Sequence, residues 1–168
     1  KYVITEAGFG ADLGAEKFLD IKAKQAGFEP AAVVIVATIR ALKMHGGVKK
    51  KELGPENVEA LIKGLSNLQK HIENIQQFKV PYVVAINSFI TDTDAETKAL
   101  ADFLGGNGHP WSLSEVWEKG GEGAVDLARK VIKEIDTKPN NFTRMYNDED
   151  TIENTNELQS YFIKRMEK

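Results

Sequence analysis

The chain has 168 residues, a formal net charge of −3 and no cysteine, and these properties exclude several classes of protein. A chain of this length suits one domain that buries about two-thirds of its unfolded surface. The acidic balance argues against a dedicated nucleic-acid binder, and the absence of cysteine excludes disulfides and thiolate metal sites. No apolar run approaches the ~20 residues of a membrane span. We therefore expect a soluble, cytoplasmic protein with neither a nucleic-acid nor a membrane partner.

The first predicted element is a short β-strand at residues 2–5, which Glu6 follows directly. A glycine-rich loop with Gly8 and Gly10 comes next. A carboxylate at the end of a buried strand, beside glycines, is how nucleotide sites hold a metal ion or a water near phosphates. The glycine spacing is GxGxxxG and not GxGxxG, so it does not indicate a dinucleotide site. Asp12 is predicted to cap the following helix at least as readily as to act in catalysis.

The second predicted strand, at residues 33–37, is the sequence VVIVA. Five apolar residues in a row predict a strand buried on both faces. Cationic side chains and flexible backbone follow it, at Arg40, Lys43, His45, Gly46 and Gly47. In open α/β sheets, ligands bind beyond the carboxyl ends of the strands, and this charge pattern predicts an anionic ligand.

A helix is predicted at residues 55–77, and a third buried strand at residues 82–86 ends beside the polar Asn87. Thr93 and Glu96 have the spacing of a capping box, which predicts that another helix starts there. Phe89 lies between the strand and the cap, where an aromatic ring either closes the core or offers a face to a flat ligand. The residues alone favour closure of the core.

The fourth predicted strand, at residues 113–117, ends in Trp117, which has the same two interpretations as Phe89. A second glycine-rich loop follows this strand end, and its members include Lys119, Gly120, Gly121 and Glu122. A helix is predicted at residues 124–135. Residues 1–137 would then form the ligand-binding core, and residues 138–168 a linker and a final amphipathic helix.

The alternation of four strands with four helices predicts an α/β fold with a mostly parallel sheet and flanking helices. All the polar and glycine-rich loops then lie at one edge of the sheet. Several catalytic motifs are missing from the sequence: the phosphate loop GxxxxGK[ST], the zinc motif HExxH and the nucleophile elbow GxSxG. Anion binding, a carboxylate at a strand end and the stacking of a flat ring are the features that the residues still support.

Four stretches together resemble the formate–tetrahydrofolate ligase family: TEAGFGADLGAEKF from Thr5, VATIRALKMHGG from Val36, AINSFITDT from Ala85 and WEKGGEGA from Trp117. The likeness runs in one register over about residues 1–146. The chain begins at Lys1 with no initiator methionine. We therefore expect it to be the middle of a longer, P-loop-NTPase-like protein whose phosphate loop lies upstream.

The resemblance implies an ATP- and Mg²⁺-dependent ligase that joins formate to tetrahydrofolate through formyl phosphate and gives 10-formyltetrahydrofolate. By position, Phe89 and Trp117 match the aromatic residues that sandwich the pterin ring in the family. Glu6 resembles the acid that positions magnesium or water in related folds. Lys43 and His45 are the candidates for stabilising phosphate charge. Nucleotide or phosphate lining is assigned to Gly8, Gly10, Asp12, Gly46, Gly47, Asn87, Lys119, Gly120, Gly121 and Glu122.

Three functions stay open at this point. The first is a part of the ligase, inactive alone and homo-oligomeric in the full-length protein. The second is a non-catalytic ligand-binding or assembly module that kept the fold, and the third is another P-loop-related ATPase. Tetrahydrofolate binding separates the third from the first, and a GxxxxGK[ST] loop encoded upstream in the parent gene separates the second from the first.

Overall fold

The computed structural model describes residues 1–147 and 149, and within them a three-stranded sheet is flanked by helices. Residues 10–26 form one helical stretch, which is wound as a wide π-type helix at Gly10–Ala15 and Lys17–Lys22. The regular elements that follow are α1 (Ala23–Ala26), β1 (Val33–Ala37), α2 (Ile39–His45), α3 (Val58–Gln77), β2 (Tyr82–Asn87), α4 (Asp94–Gly106), β3 (Trp111–Ser114), α5 (Val116–Lys119) and α6 (Val125–Thr137). Short 3-10 turns lie at Lys50–Glu52 and Gly120–Ala124.

The sheet is parallel throughout, in the order β1-β2-β3. Val33 pairs with Tyr82 at the start of β1 and β2, and Val84 pairs with Trp111 across β2 and β3. The helices after β1 and β2 return the chain to the end of the sheet where the next strand begins, as a parallel sheet requires. The predicted α/β class and the parallel sheet are therefore confirmed, and the carboxyl ends of all three strands lie at one edge.

The central strand β2 is buried at Val83, Val84 and Ile86, whereas the edge strand β1 is buried on one face only. Val34 is 41% exposed and Val36 is 63% exposed. The prediction that this run is buried on both faces is therefore wrong. Its physical reason is that α6 packs on β2 and β3 and does not cover β1.

The predicted strand at residues 2–5 is also wrong, because residues 1–8 have no regular secondary structure. Val3 is 92% exposed and Ile4 is 94% exposed. A β-prone sequence forms a strand only where a neighbour accepts its backbone hydrogen bonds, and no described strand pairs with this segment. The described sheet consequently has three strands, not four, and Glu6 does not end a strand.

Two predicted boundaries differ in the structure, and one predicted helix start is confirmed. The helix predicted from residue 55 begins at Val58, where the Asn57 side chain accepts a hydrogen bond from Ala60 N at 2.9 Å. The strand predicted at residues 113–117 lies at Trp111–Ser114 instead. The capping box of Thr93 and Glu96 is confirmed at the start of α4.

The described part of the chain after α6 packs back onto the core. Thr143 N donates to Phe78 O at 2.9 Å, and the rings of Phe142 and Phe78 stack with centroids 6.5 Å apart. Met145 N donates to the buried carboxylate of Asp20 at 2.8 Å. The division of the chain at residue 137 stays a prediction, and the amphipathic helix predicted near the carboxyl terminus lies outside the described residues.

None of the helices in the described ranges is both long enough and apolar enough to span a membrane.

Candidate functional site

Segments that follow the three strands meet at one edge of the sheet, and we call this edge the strand-end rim. It comprises residues 38–40 after β1, residues 87–93 after β2 and residues 114–124 after β3. Ser88 N donates to Ser114 O at 3.0 Å, and Glu115 N donates to Gly123 O at 3.1 Å. The first of these backbone hydrogen bonds joins the second rim segment to the third. The second joins the two ends of the third segment.

Phe89 is fixed in the second rim segment by a tight turn. Its N–H donates to Asp92 Oδ2 at 2.9 Å, and Asp92 N donates back to Phe89 O at 2.9 Å. The ring is half-buried, and the Arg40 guanidinium lies 6.0 Å from the ring centroid, at the outer limit of a cation–π contact. The structure thus places an exposed cation beside an aromatic ring at the rim.

Asp92 is the acidic group of this turn. Burial raises the pKa of Asp92, and the hydrogen bond from Phe89 N partly opposes that rise. Its second oxygen, Oδ1, is buried and has no hydrogen-bond partner in the described structure. Asp92 was not among the sequence candidates, because an acid three residues after an aromatic carries no motif of its own.

Trp117 stands on α5, one turn beyond the end of β3, and its side chain is 82% exposed. This is an unusual exposure for an indole, which normally buries most of its area. An ion pair between Lys119 and Glu115, with 2.8 Å between Nζ and Oε1, holds the short helix. Gly120, Gly121 and Glu122 follow in the exposed 3-10 turn.

Lys43 lies beneath the rim and not on its surface. Only 1% of its side chain is exposed, and its Nζ lies 2.8 Å from Glu96 Oε1 and 3.0 Å from Pro55 O. In this conformation the ammonium group has no surface from which to contact a phosphate. Arg40 is an exposed cation of the rim, which the sequence placed in the basic cluster but did not single out.

His45 is the exposed last residue of α2, and Gly46 and Gly47 follow it. A Cβ atom built on Gly46 would lie 1.8 Å from Ala60 O, so this glycine lets α2 and α3 approach each other. Gly47 has a φ of +100°, which favours glycine for the backbone alone. Packing and backbone geometry therefore account for both glycines, and their predicted contact with phosphate stays a prediction. Asn87 is the last residue of β2 and reaches the rim.

Two of the four amino-terminal candidates line a separate groove of about 480 Å³, and Gly10 and Asp12 do not. Glu6 and Gly8 line it together with Phe18 and Phe28, and none of its lining residues belongs to the strand-end rim. Gly14 packs on Gly8, since a Cβ atom on Gly14 would lie 1.7 Å from Gly8 O. In the structure described here, Glu6 is thus not brought together with Lys43, Phe89 and Trp117.

The cap predicted at Asp12 is wrong. The helical stretch begins at Gly10 with Phe9 in the cap position and no capping side chain. Asp12 lies in the first turn, where a carboxylate still interacts favourably with the helix dipole.

His109 and Trp111 lie at the opposite edge of the sheet, where β3 begins. The Tyr82 hydroxyl lies 2.9 Å from His109 Nδ1, and Gln69 Oε1 lies 3.2 Å from His109 Nε2. Burial lowers the pKa of His109, which favours the neutral ring that this network needs. The loop at His109 therefore has a structural role. The sequence alone assigned it none.

The family model for formate–tetrahydrofolate ligase matches residues 1–160 of this chain. The matched region includes the whole strand-end rim, the amino-terminal groove and all the sequence candidates.

Proposed function

Because this chain belongs to the formate–tetrahydrofolate ligase family, we propose that its strand-end rim binds the pterin ring of tetrahydrofolate for the ATP- and Mg²⁺-dependent ligation of formate. In that reaction a formate oxygen bonds to the γ-phosphorus of ATP as ADP leaves. N10 of tetrahydrofolate then attacks the formyl carbon, and phosphate leaves. The folate, the formate and the nucleotide are substrates.

The observation that carries the proposal is the pair of aromatic residues on neighbouring rim segments. Phe89 follows β2 and is held by its turn, whereas Trp117 follows β3 and is 82% exposed. An indole left in water is stabilised when a flat ring covers it, and offset stacking adds about 1 kcal/mol beyond the buried area. Arg40 adds a positive charge at the same rim, which suits substrates that carry carboxylates or phosphate.

Within the described residues there is no cluster of three or more histidine, aspartate or glutamate side chains that could hold a metal ion. Mg²⁺ in nucleotide sites commonly uses one or two carboxylates together with substrate phosphates and water. We therefore propose that Mg²⁺ arrives with ATP. Glu6 stays a candidate carboxylate for it, although the exposed segment that carries Glu6 lies outside the rim.

Substituting alanine for Phe89 or for Trp117 is expected to weaken the binding of tetrahydrofolate about tenfold each, because each variant removes one stacking face. Calorimetric titration under reducing conditions measures the effect. Phe28→Ala is the matched control, since Phe28 is a partly exposed aromatic of the amino-terminal groove. Equal losses in all three variants, or tight binding that no variant alters, would exclude the rim as the pterin site.

The phosphate loop GxxxxGK[ST], which holds the β- and γ-phosphates in P-loop sites, is not in this sequence. We expect the 168 residues alone to bind tetrahydrofolate and to form no 10-formyltetrahydrofolate from ATP and formate. ATP-dependent formation of that product by the purified chain would overturn this part of the proposal. The cytoplasmic location and the homo-oligomeric state stay predictions.

A further inference from the structure

One buried ion pair lies directly beneath the strand-end rim. Glu96 has no exposed surface, and both of its carboxylate oxygens have polar partners. Its Oε2 accepts from Thr93 N at 3.2 Å, and its Oε1 accepts from Asn57 N and from Lys43 Nζ, each at 2.8 Å. Burial opposes ionisation, but the donors of Lys43, Asn57 and Thr93 outweigh it and hold the pKa of Glu96 below its usual value.

The pair joins three parts of the chain that are far apart in sequence. Lys43 is on α2, Glu96 is in the first turn of α4, and Asn57 is the residue before α3. Lys43 also donates to Pro55 O at 3.0 Å, in the loop that leads to α3. A single carboxylate and a single ammonium therefore connect α2, the start of α3 and α4.

Capping alone does not explain Lys43. Thr93 and Glu96 satisfy the start of α4 by themselves, as capping boxes do. A buried ion pair is moreover weak evidence for stability, because desolvation of the two charges offsets much of their attraction. Helix stability therefore does not account for the buried Lys43.

The position of the ion pair relative to Arg40 and to the turn of Phe89 offers such a reason. Arg40 and Lys43 are three residues apart on α2, so their side chains leave the same face of the helix. The turn that holds Phe89 ends at Asp92, immediately before Thr93. The ion pair thus sets the distance between the helix that carries Arg40 and the loop that carries Phe89.

We infer that Lys43 and Glu96 are positioning residues, which hold Phe89 and Arg40 in the arrangement that receives the flat ring of the substrate. This inference rests on the proposed function of the rim for its ligand, but the geometry of the loop can be measured without any ligand. Neither Lys43 nor Glu96 contacts the flat ring of the substrate in this proposal. Lys43 acts through Glu96, and Glu96 acts through the turn of Phe89.

The test is the double variant Lys43→Met with Glu96→Gln, which removes both charges and keeps a residue that can form a capping box. We expect it to fold with a melting temperature within about 5 °C of the parent. Amide exchange at Phe89 and Asp92 should become at least tenfold faster, while exchange at Ile86 in β2 stays the same. Affinity for tetrahydrofolate should fall about tenfold, and adding Phe89→Ala should cause little further loss.

The matched control removes an exposed ion pair from the same helix, with Lys98→Met and Asp102→Asn, and it should alter neither exchange nor affinity. If the buried-pair variant folds and exchange at Phe89 and Asp92 is unchanged, the positioning role is contradicted. If this variant does not fold, Lys43→Gln, which keeps a donor for Glu96, replaces it in the same measurements. Absence of tetrahydrofolate binding in the parent would overturn the proposed function, whereas the exchange measurement would still decide the positioning role.

Discussion

Replacing Gly64 with alanine is expected to lower the free energy of unfolding by about 3 kcal/mol, an overpacking cost that outweighs the usual gain of alanine in a helix. A Cβ atom at this position would lie 1.9 Å from Leu42 O, which is backbone and cannot rotate away. The helices α2 and α3 would have to separate. Chemical denaturation followed by circular dichroism measures the change.

The matched control for this substitution is Gly106→Ala, at the exposed end of α4. Apart from the adjacent residues and the backbone of α4 itself, no atom lies within 4 Å of the Cβ position there, so this variant should be neutral or up to about 1 kcal/mol more stable. A Gly64→Ala variant as stable as the parent would contradict the close approach of α2 and α3. The same approach underlies the buried position of Lys43, since Lys43 lies on α2 between Leu42 and Gly46.

Replacing Asp20 with asparagine is expected to raise the free energy of unfolding at pH 7 by about 1–2 kcal/mol, because it removes a buried charge. Asp20 is 1% exposed, and its Oδ2 has no hydrogen-bond partner in the described structure. Burial raises the pKa of Asp20 from 3.8 to about 6, the hydrogen bond from Met145 N opposes the rise, and the nearby Glu16 adds to it. Asparagine retains an oxygen that can accept from Met145 N.

The pH dependence of this effect has a definite sign. The folded-state pKa of Asp20 is above its unfolded value, so the folded state binds the proton more tightly. The stability that this contributes is fully present below about pH 4 and is lost as the pH rises to about 6. The parent should therefore lose stability over this window relative to Asp20→Asn, and parallel curves of stability against pH for the two proteins would refute the assignment.

Much of the fold follows from local patterns in the sequence. The run Val33–Ala37 and the run Tyr82–Asn87 form strands because they are rich in β-branched residues and bounded by turn-forming residues. The capping box at Thr93 is likewise a local signal. The burial of β1 could not be predicted in the same way, because exposure of Val36 depends on which helix covers an edge strand.

The amino-terminal helical stretch shows another limit of periodicity. A regular helix repeats every 3.6 residues, and on that basis Leu13 and Ile21 should face the core. Both are largely exposed, at 51% and 43%. Leu19 and Ala23, four residues apart, are the fully buried apolar side chains of this stretch instead.

The candidate site likewise contains features that local sequence patterns do not predict. The residues alone favoured a core position for Phe89 and Trp117, and only the resemblance to a family proposed them as a stacking pair. The contact of Lys43 with Glu96 joins positions 53 residues apart, and the contact of Arg40 with Phe89 is similarly distant in sequence. Such contacts depend on the packing of whole helices, and no spacing in the sequence encodes them.

The central claim is that the rim at Phe89 and Trp117 binds the pterin ring, and tryptophan fluorescence tests it most directly. The chain has two tryptophans, and Trp111 lies at the other edge of the sheet, with Lys130 Nζ 5.3 Å from its ring centroid. Trp111→Phe therefore leaves Trp117 as the only reporter, and Trp117→Phe leaves only the distant one. The account predicts saturable quenching by tetrahydrofolate in Trp111→Phe, weakened about tenfold by the further change Phe89→Ala. Quenching of equal size in Trp117→Phe, or none in Trp111→Phe, would contradict it.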